Sequence, residues 1–299
     1  MSQEHRCGVV AIAGRPNVGK STLMNHLLGA KVAIVTPKPQ TTRDRILGIL
    51  TKPGLQVLFH DTPGIHKPQK ALNRRMVAEA DSALGDCDVV LFVTDAEEPE
   101  KGLRSDRLVL QRIAACCKPT ILAINKIDLI PAQQLLPLIQ AYSQAGRFEA
   151  VVPISALRGD GTDVMFDELV KFLPEGPALY SEDDLSDRPM RFVAAEIVRE
   201  KLMMEVRQEI PYSIAVTIDE FLEPEPPAIV RISATIHIER DSQKAIVIGR
   251  GGSMLKTVGT AAREEIEHLM DRKVFLQLFV KVDPEWAATD AGVRRMGYE

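Results

Sequence analysis

One lysine, one serine and two glycines at fixed spacing carry the first chemistry in this chain. They stand in Gly14-Arg15-Pro16-Asn17-Val18-Gly19-Lys20-Ser21, followed by Thr22. A Gly-x-x-x-x-Gly-Lys-Ser run wraps backbone N–H groups around a phosphate and aims a helix N-terminus at it. Lys20 is then placed to reach β- and γ-phosphates, and the Ser21 hydroxyl to meet Mg2+. The flanks fit, since 9–13 is an apolar strand-like run and 21–28 reads as an amphipathic helix ending at Gly29. This is a nucleotide phosphate site.

Three further motifs say which nucleotide. Asp61-Thr62-Pro63-Gly64 closes a strand-like run, where a carboxylate serving Mg2+ is needed, and Gly64 can offer its N–H to a γ-phosphate. In Asn125-Lys126-Ile127-Asp128, the Asp128 carboxylate can accept from guanine N1–H and the 2-amino group. Adenine would leave that acceptor unpaired, at a cost of about 1–3 kcal/mol, so guanine is favoured. Lys126 can lay its stem along the base, and Asn125 can tie the base loop to the phosphate loop. Ser155-Ala156-Leu157 can supply a backbone N–H to guanine O6. Between the first helix and the next strand, the polar segment 31–45 carries Pro39-Gln40-Thr41-Thr42-Arg43. A threonine hydroxyl there, Thr42 in preference to Thr41, can complete the Mg2+ shell while a γ-phosphate is present and release afterwards. The expected catalytic set is Lys20, Thr42 and Gly64; the Mg2+ set is Ser21, Thr42 and Asp61.

These groups need a scaffold. Strand-like runs at 46–50, 55–60, 89–93, 120–125 and 151–154 alternate with helical stretches at 103–116, 132–145 and 163–172. Lys52-Pro53-Gly54 marks a hairpin between the first two runs. The pattern predicts an α/β domain with a mostly parallel sheet covered on both faces and ligands at strand carboxyl ends. Two prolines in 174–177 and the acidic run 181–184 break it, which predicts a domain over 1–175, a linker over 176–188 and a second domain over 189–299. That second domain reads as a helix at 190–206, strands at 213–219 and 229–237, a helix at 253–270 and a strand at 273–282.

Composition bounds the rest. The 299 residues are 45% hydrophobic and 26% charged, ordinary for a globular protein. No apolar run approaches the ~18 residues of a spanning helix. Cys7, Cys87, Cys116 and Cys117 lack Cys-x-x-Cys spacing, which fits reduced cytosolic thiols and no metal cluster. The net charge of −4 argues against nucleic acid, yet within 231–263 Arg231, Arg240, Lys244, Arg250, Lys256 and Arg263 face only Glu239 and Asp241. A local patch, not the total, attracts a phosphate backbone. Inside it lies Val247-Ile248-Gly249-Arg250-Gly251-Gly252, followed by Leu255 and Val258 at helical spacing. A Gly-x-x-Gly turn between two helices lets a sugar-phosphate backbone come close, with bases in an apolar groove alongside. The expected RNA-binding set is Lys244, Ile248, Gly249, Arg250, Gly251, Gly252 and Lys256. The helix face Phe192, Ala195, Val198 and Leu202 reads as core, Trp286 as a packing anchor, and His60 and His66 as strand-end and loop residues.

In their order, the phosphate loop, Thr41-Thr42-Arg43, Asp61-Thr62-Pro63-Gly64, Asn125-Lys126-Ile127-Asp128 and Ser155-Ala156-Leu157 resemble the Era family of GTPases. The stretch 247–258 resembles the core of a KH domain, and Ile210-Pro211-Tyr212-Ser213 also looks like that family. The resemblance implies a Ras-like P-loop GTPase domain followed by a smaller α+β KH domain of type II. It implies binding of GTP and GDP, Mg2+-dependent hydrolysis to GDP and phosphate, and binding to the 3′ end of 16S rRNA during 30S subunit maturation. A monomeric cytoplasmic protein, with peripheral attachment to the inner membrane, is the matching expectation. Ile65 stands where Ras-type enzymes carry a water-orienting glutamine, so hydrolysis should be slow unaided. Relatives with such a replacement use K+ near the phosphates, and Asn17 matches its ligand. Two rivals remain at this stage, an RNA chaperone with a structural nucleotide and a membrane or cell-cycle signalling GTPase.

Overall fold

The computed structural model describes residues 5–68, 70–97, 99–206 and 210–298, with backbone alone at 99–101. Residues 1–4 and 299, the outer ends of the two expected domains, lie outside it. The chain forms two compact units. One comprises 1–35, 39–68 and 74–187; the other comprises 36–38, 69–73 and 188–299.

The first unit runs β1 (Arg6–Ala13), α1 (Lys20–Leu28), β2 (Ile46–Lys52), β3 (Leu55–Asp61), α2 (Ala71–Asp86, of which 74–86 belong to this unit), β4 (Val89–Asp95), α3 (Pro99–Cys116), β5 (Thr120–Asn125), α4 (Leu135–Ala145), β6 (Ala150–Pro153) and α5 (Thr162–Val170). The six strands lie in the order β2-β3-β1-β4-β5-β6. Only the β2–β3 hairpin is antiparallel; β1–β3, β1–β4, β4–β5 and β5–β6 are parallel. Alternate residues of the central strands feed two cores. Val10, Ile12, Val89 and Leu91 join the cluster that includes Leu23 of α1 and Leu169 of α5, while Ala11, Ala13, Val90 and Phe92 join the one that includes Ala80, Val109 and Leu138. Burial on both faces is why these strands are continuously apolar. Because β1 sits between β3 and β4, strand order reverses at its carboxyl end, and ligands collect at such a point. The phosphate loop begins there.

Two departures from expectation have physical reasons. Helix α2 was not anticipated. Its buried apolar side chains include Leu72, Met76, Ala80, Ala83 and Leu84 at helical spacing, but two of these are alanines that give a weak apolar signal. The segment 176–188, expected to be a linker, is instead held along the sheet edge. Ile49 N–H donates to Leu185 O at 2.9 Å, Ser186 Oγ to Leu47 O at 2.6 Å, and Gln56 Oε1 accepts from the N–H groups of Leu179 and Tyr180. Strand β2 is an edge, and covering its unpaired backbone groups favours this docking.

The second unit contains α6 (Met190–Glu205), β7 (Ala215–Leu222), β8 (Val230–Ile238), α7 (Asp241–Ile248), α8 (Ser253–Met270), β9 (Val274–Val282) and α9 (Asp290–Arg295). Its sheet has the order β7-β8-β9, with β7 antiparallel and β9 parallel to β8. One core joins Ile197 and Val198 of α6, Ile232 and Ile236 of β8, and Val258 and Ile266 of α8. The buried face of α6 is Ala194, Ile197, Val198 and Leu202, one step round from the expected face, and Phe192 is only half-buried beneath the Arg188 guanidinium. Trp286 is fully buried, donates Nε1–H to Ser213 O at 3.0 Å and stacks on Tyr298, as a packing anchor does.

Candidate functional site

The phosphate loop joins the end of β1 to α1. Gly19, at φ 96°, caps the helix, so the first turn of α1 presents its N–H groups with Lys20 at the first helical position. Lys20 is buried, and its Nζ donates to Gly14 O at 3.3 Å and Arg15 O at 3.0 Å. Burial lowers its pKa from 10.5 to about 8, against the opposing pull of Asp61. An ammonium so placed is an electrostatic socket for phosphate oxygens.

Beside it lies a triangle of oxygens. Ser21 Oγ donates to Asp61 Oδ2 at 2.6 Å, Thr42 Oγ1 donates to the same oxygen at 3.1 Å, and the two hydroxyls are 2.9 Å apart. Asp61 is fully buried, and its Oδ1 has no hydrogen-bond partner among the described residues. Burial raises its pKa, with Lys20 and the two hydroxyls pulling the other way. An unpartnered buried carboxylate oxygen flanked by two hydroxyls is a donor set for a hard divalent cation such as Mg2+. The hydroxyl that enters this triangle from the 39–43 segment belongs to Thr42.

The rest of the Asp61-Thr62-Pro63-Gly64 motif packs onto the phosphate loop. Thr62 Oγ1 donates to Ile12 O at 2.8 Å and Ile65 N–H to Gly14 O at 3.1 Å. A Cβ on Gly64 would meet Pro16 N at 2.5 Å, so only glycine allows this approach. Ile65 is buried in the cluster that holds Ala13 and Phe92 and has no polar atom to hold water. Asn17 is exposed at the bend of the loop, at φ 66°.

At the base end, Asn125 Nδ2 donates to Val18 O at 2.8 Å and its Oδ1 accepts from Ala156 N–H at 2.9 Å. Ser155 Oγ donates to Asp128 Oδ1 at 2.7 Å, which orients that carboxylate. The N–H groups of Ser155 and Ala156 are already engaged, by Asp160 O and Asn125 Oδ1. Lys126, at φ 62°, pairs with Glu97 and lies 3.8 Å from Asp95. All the expected nucleotide residues from Gly14 to Thr22, from Asp61 to Gly64, at 125–128 and at 155–157 sit at strand carboxyl ends or on α1.

In the second unit, α7 and α8 flank the turn 249–252. Gly249 sits at φ 73°, ψ 170°, a region open essentially to glycine, where a Cβ would meet Met254 N at 2.7 Å. Gly252, at φ 80°, caps α8, and Arg250 and Lys256 are exposed. Beyond the turn a groove is lined by Gly252, Lys256 and Arg263 on one side and by Leu276 and Leu278 of β9 on the other. A basic rim over an apolar floor suits unstacked bases on a phosphate backbone. Lys244 and Ile248, both half-buried on α7, precede the turn.

Known proteins agree with this division. Residues 9–126 match the 50S ribosome-binding GTPase family, and residues 209–287 match the KH domain family. GTPase Era of Geobacter sp. strain M21 is 48% identical over 298 residues, covering 99% of each chain. The chain belongs to the GTPase Era family. Two solved members superpose over 98% of it. One, at 44% identity and a TM-score of 0.94, is Era in complex with MgGDPNP and nucleotides 1506–1542 of 16S ribosomal RNA; the other, at 43% and 0.93, is a variant of Aquifex aeolicus Era bound to GDP·AlF4−. Each covers 99% of its own chain. As an Era-family member the chain is a GTPase, with a Ras-like domain followed by a KH domain. Sequence reasoning missed the residues that hold the phosphate loop from outside the motifs: Asp95, Asp106 and Tyr142, gathered around Arg15. Their only signal was an aspartate on the apolar face of a helix.

Proposed function

We propose that this Era-family GTPase is a Mg2+-dependent switch whose KH domain holds the 3′ end of 16S rRNA during maturation of the 30S subunit. One observation carries it: the chain-long likeness to an Era structure that contains both MgGDPNP and that RNA segment, with the expected donors for each in place here. Bound Mg2+ would supply positive charge to the β- and γ-phosphate oxygens, with Ser21 and Thr42 as ligands and Asp61 as the buried carboxylate. Lys20 adds its charge to the same oxygens, Gly64 offers its N–H, and Asn125, Lys126, Asp128 and the 155–157 loop take guanine. On loss of the γ-phosphate Thr42 would let go of Mg2+, which makes the 31–45 segment a switch. The protein can be crosslinked to ribosomal particles and the nucleotides beside residues 244–258 mapped. Contacts at the 3′ end of 16S rRNA are expected; contacts scattered over many RNAs would overturn the ribosomal assignment.

Ile65 supports a second element of the proposal. With no glutamine to orient water, Asn17 would hold K+, which would supply charge near the phosphates in place of an arginine finger. Turnover in KCl should exceed turnover in NaCl, and equal rates would remove K+ from the scheme. We place the protein in the cytoplasm as a monomer with peripheral attachment to the inner membrane, to be checked by light scattering and by salt extraction of membrane fractions. Among the described residues no helix is long and apolar enough to cross a membrane.

A further inference from the structure

Asp106 of α3 is fully buried, and its carboxylate accepts from three donors. Oδ1 accepts from Arg15 Nε at 2.7 Å; Oδ2 accepts from Thr94 Oγ1 and from the Tyr142 hydroxyl, each at 2.6 Å. The donors come from the phosphate loop, the end of β4 and α4, so one side chain pins three elements to the nucleotide end of the sheet. Asp95, one residue beyond Thr94, adds a second carboxylate. Its Oδ1 lies 3.6 Å from Arg15 Nη2 and its Oδ2 lies 3.8 Å from Lys126 Nζ. Alternating charges thus run Asp106, Arg15, Asp95, Lys126, from the phosphate loop to the base-recognition loop. This path is separate from the amide bridge of Asn125.

The chemistry of the groups fits a permanent tie. Burial works against the charged Arg15 guanidinium, but Asp106 and Asp95 outweigh it and its pKa rises. Burial and the Asp106 carboxylate push the Tyr142 phenol up as well, which keeps its proton on as a donor. An arginine held in this way is not free to act as a finger on the γ-phosphate. Its influence passes through the loop backbone, whose Arg15 carbonyl receives Lys20 Nζ.

We propose that the Asp106–Arg15 pair is a positioning device that sets how long a guanine nucleotide stays bound, without contributing to the chemical step. The proposal rests on the nucleotide site assigned above. Among the described residues no side chain of the network hydrogen-bonds to Lys20, Thr42 or Gly64, and its link to that set is the Arg15 main-chain carbonyl on Lys20 Nζ. Loss of the Asp106 carboxylate therefore loosens the loop in ground state and transition state alike, raising KM with little change in kcat.

The test uses the full-length protein and release of N-methylanthraniloyl-GDP in a stopped-flow instrument. Asp106→Asn and Arg15→Ala should each speed release by about tenfold, and the double variant should be no faster than about twice the faster single, as expected for one shared network. Arg15→Lys, which keeps charge but loses the fork, should fall between. For Asp106→Asn, KM for GTP should rise by at least about fivefold with kcat within about twofold. Should Asp106→Asn fold poorly, Tyr142→Phe removes one neutral donor and should still speed release by about threefold. Unchanged release in both Arg15→Ala and Tyr142→Phe, additive single effects, or a fall in kcat at unchanged release would each overturn the proposal. Failure of the unaltered protein to bind the labelled GDP would instead overturn the nucleotide site itself.

Discussion

The Asn125 side chain donates to Val18 O at 2.8 Å and accepts from Ala156 N–H at 2.9 Å, so one amide joins the phosphate loop, the end of β5 and the loop after β6. Both bonds are buried, and breaking them leaves unpaired backbone groups at about 1–3 kcal/mol each. Asn125→Ala should therefore weaken GTP and GDP binding alike by at least about tenfold in titration calorimetry. Asn125→Asp should be worse, because a charged carboxylate oxygen would then face the Val18 carbonyl oxygen, acceptor against acceptor. An effect on GTP alone would show that the bridge serves catalysis and not loop geometry.

Lys20 gives a pH dependence with a definite sign. Its pKa in the folded chain, about 8, lies below the ordinary 10.5. Between those values the unfolded chain binds more protons, so this group makes stability rise with pH across that window; below about 8 the full cost of burying the ammonium is present. A bound triphosphate favours the charged form and raises the pKa again. Nucleotide binding should thus take up protons at about pH 8.5 and almost none at about pH 6.5, read from calorimetry in buffers of unequal ionisation heat. Affinity should fall as pH climbs past 8. Equal binding heats after buffer correction at both pH values would refute the buried, phosphate-facing ammonium.

Thr42 and Thr41 are neighbours in sequence, but Thr42 joins Ser21 and Asp61. Single-turnover GTP hydrolysis should fall at least about tenfold further in Thr42→Ala than in Thr41→Ala, with a matching rise in the Mg2+ concentration needed for half-maximal rate. The opposite ranking would move the metal-facing hydroxyl to Thr41.

Gly252→Asp places a carboxylate at the turn before α8. The position has open space for a Cβ and a φ of 80°, which aspartate tolerates better than most residues. RNA binding in a filter or fluorescence assay should drop by at least about tenfold, and GTP affinity should not change. Undiminished RNA binding would take the Gly-x-x-Gly turn out of the interface.

Much of the fold was legible because the local signals were strong. Strands buried on both faces must be apolar throughout, and the motif residues cluster where those strands end. Helix α2 was obscured because Ala80 and Ala83 fill its buried face with little hydrophobic weight. The 174–188 stretch carries the prolines and acids of a linker, and the bonds that dock it on β2 and β3 leave no trace in side-chain pattern.

The sequence alone determined the phosphate loop, the Asn125–Asp128 motif and the glycine turn of the KH domain, because each depends on residues a few positions apart whose backbone conformation is set locally. Only the tertiary structure decided that Thr42 meets Asp61, and that Arg15 lies against Asp106, 91 residues away. A charge pair at that separation is specified by how α3 packs on the sheet, and packing is a property of the whole core, not of any short stretch of chain.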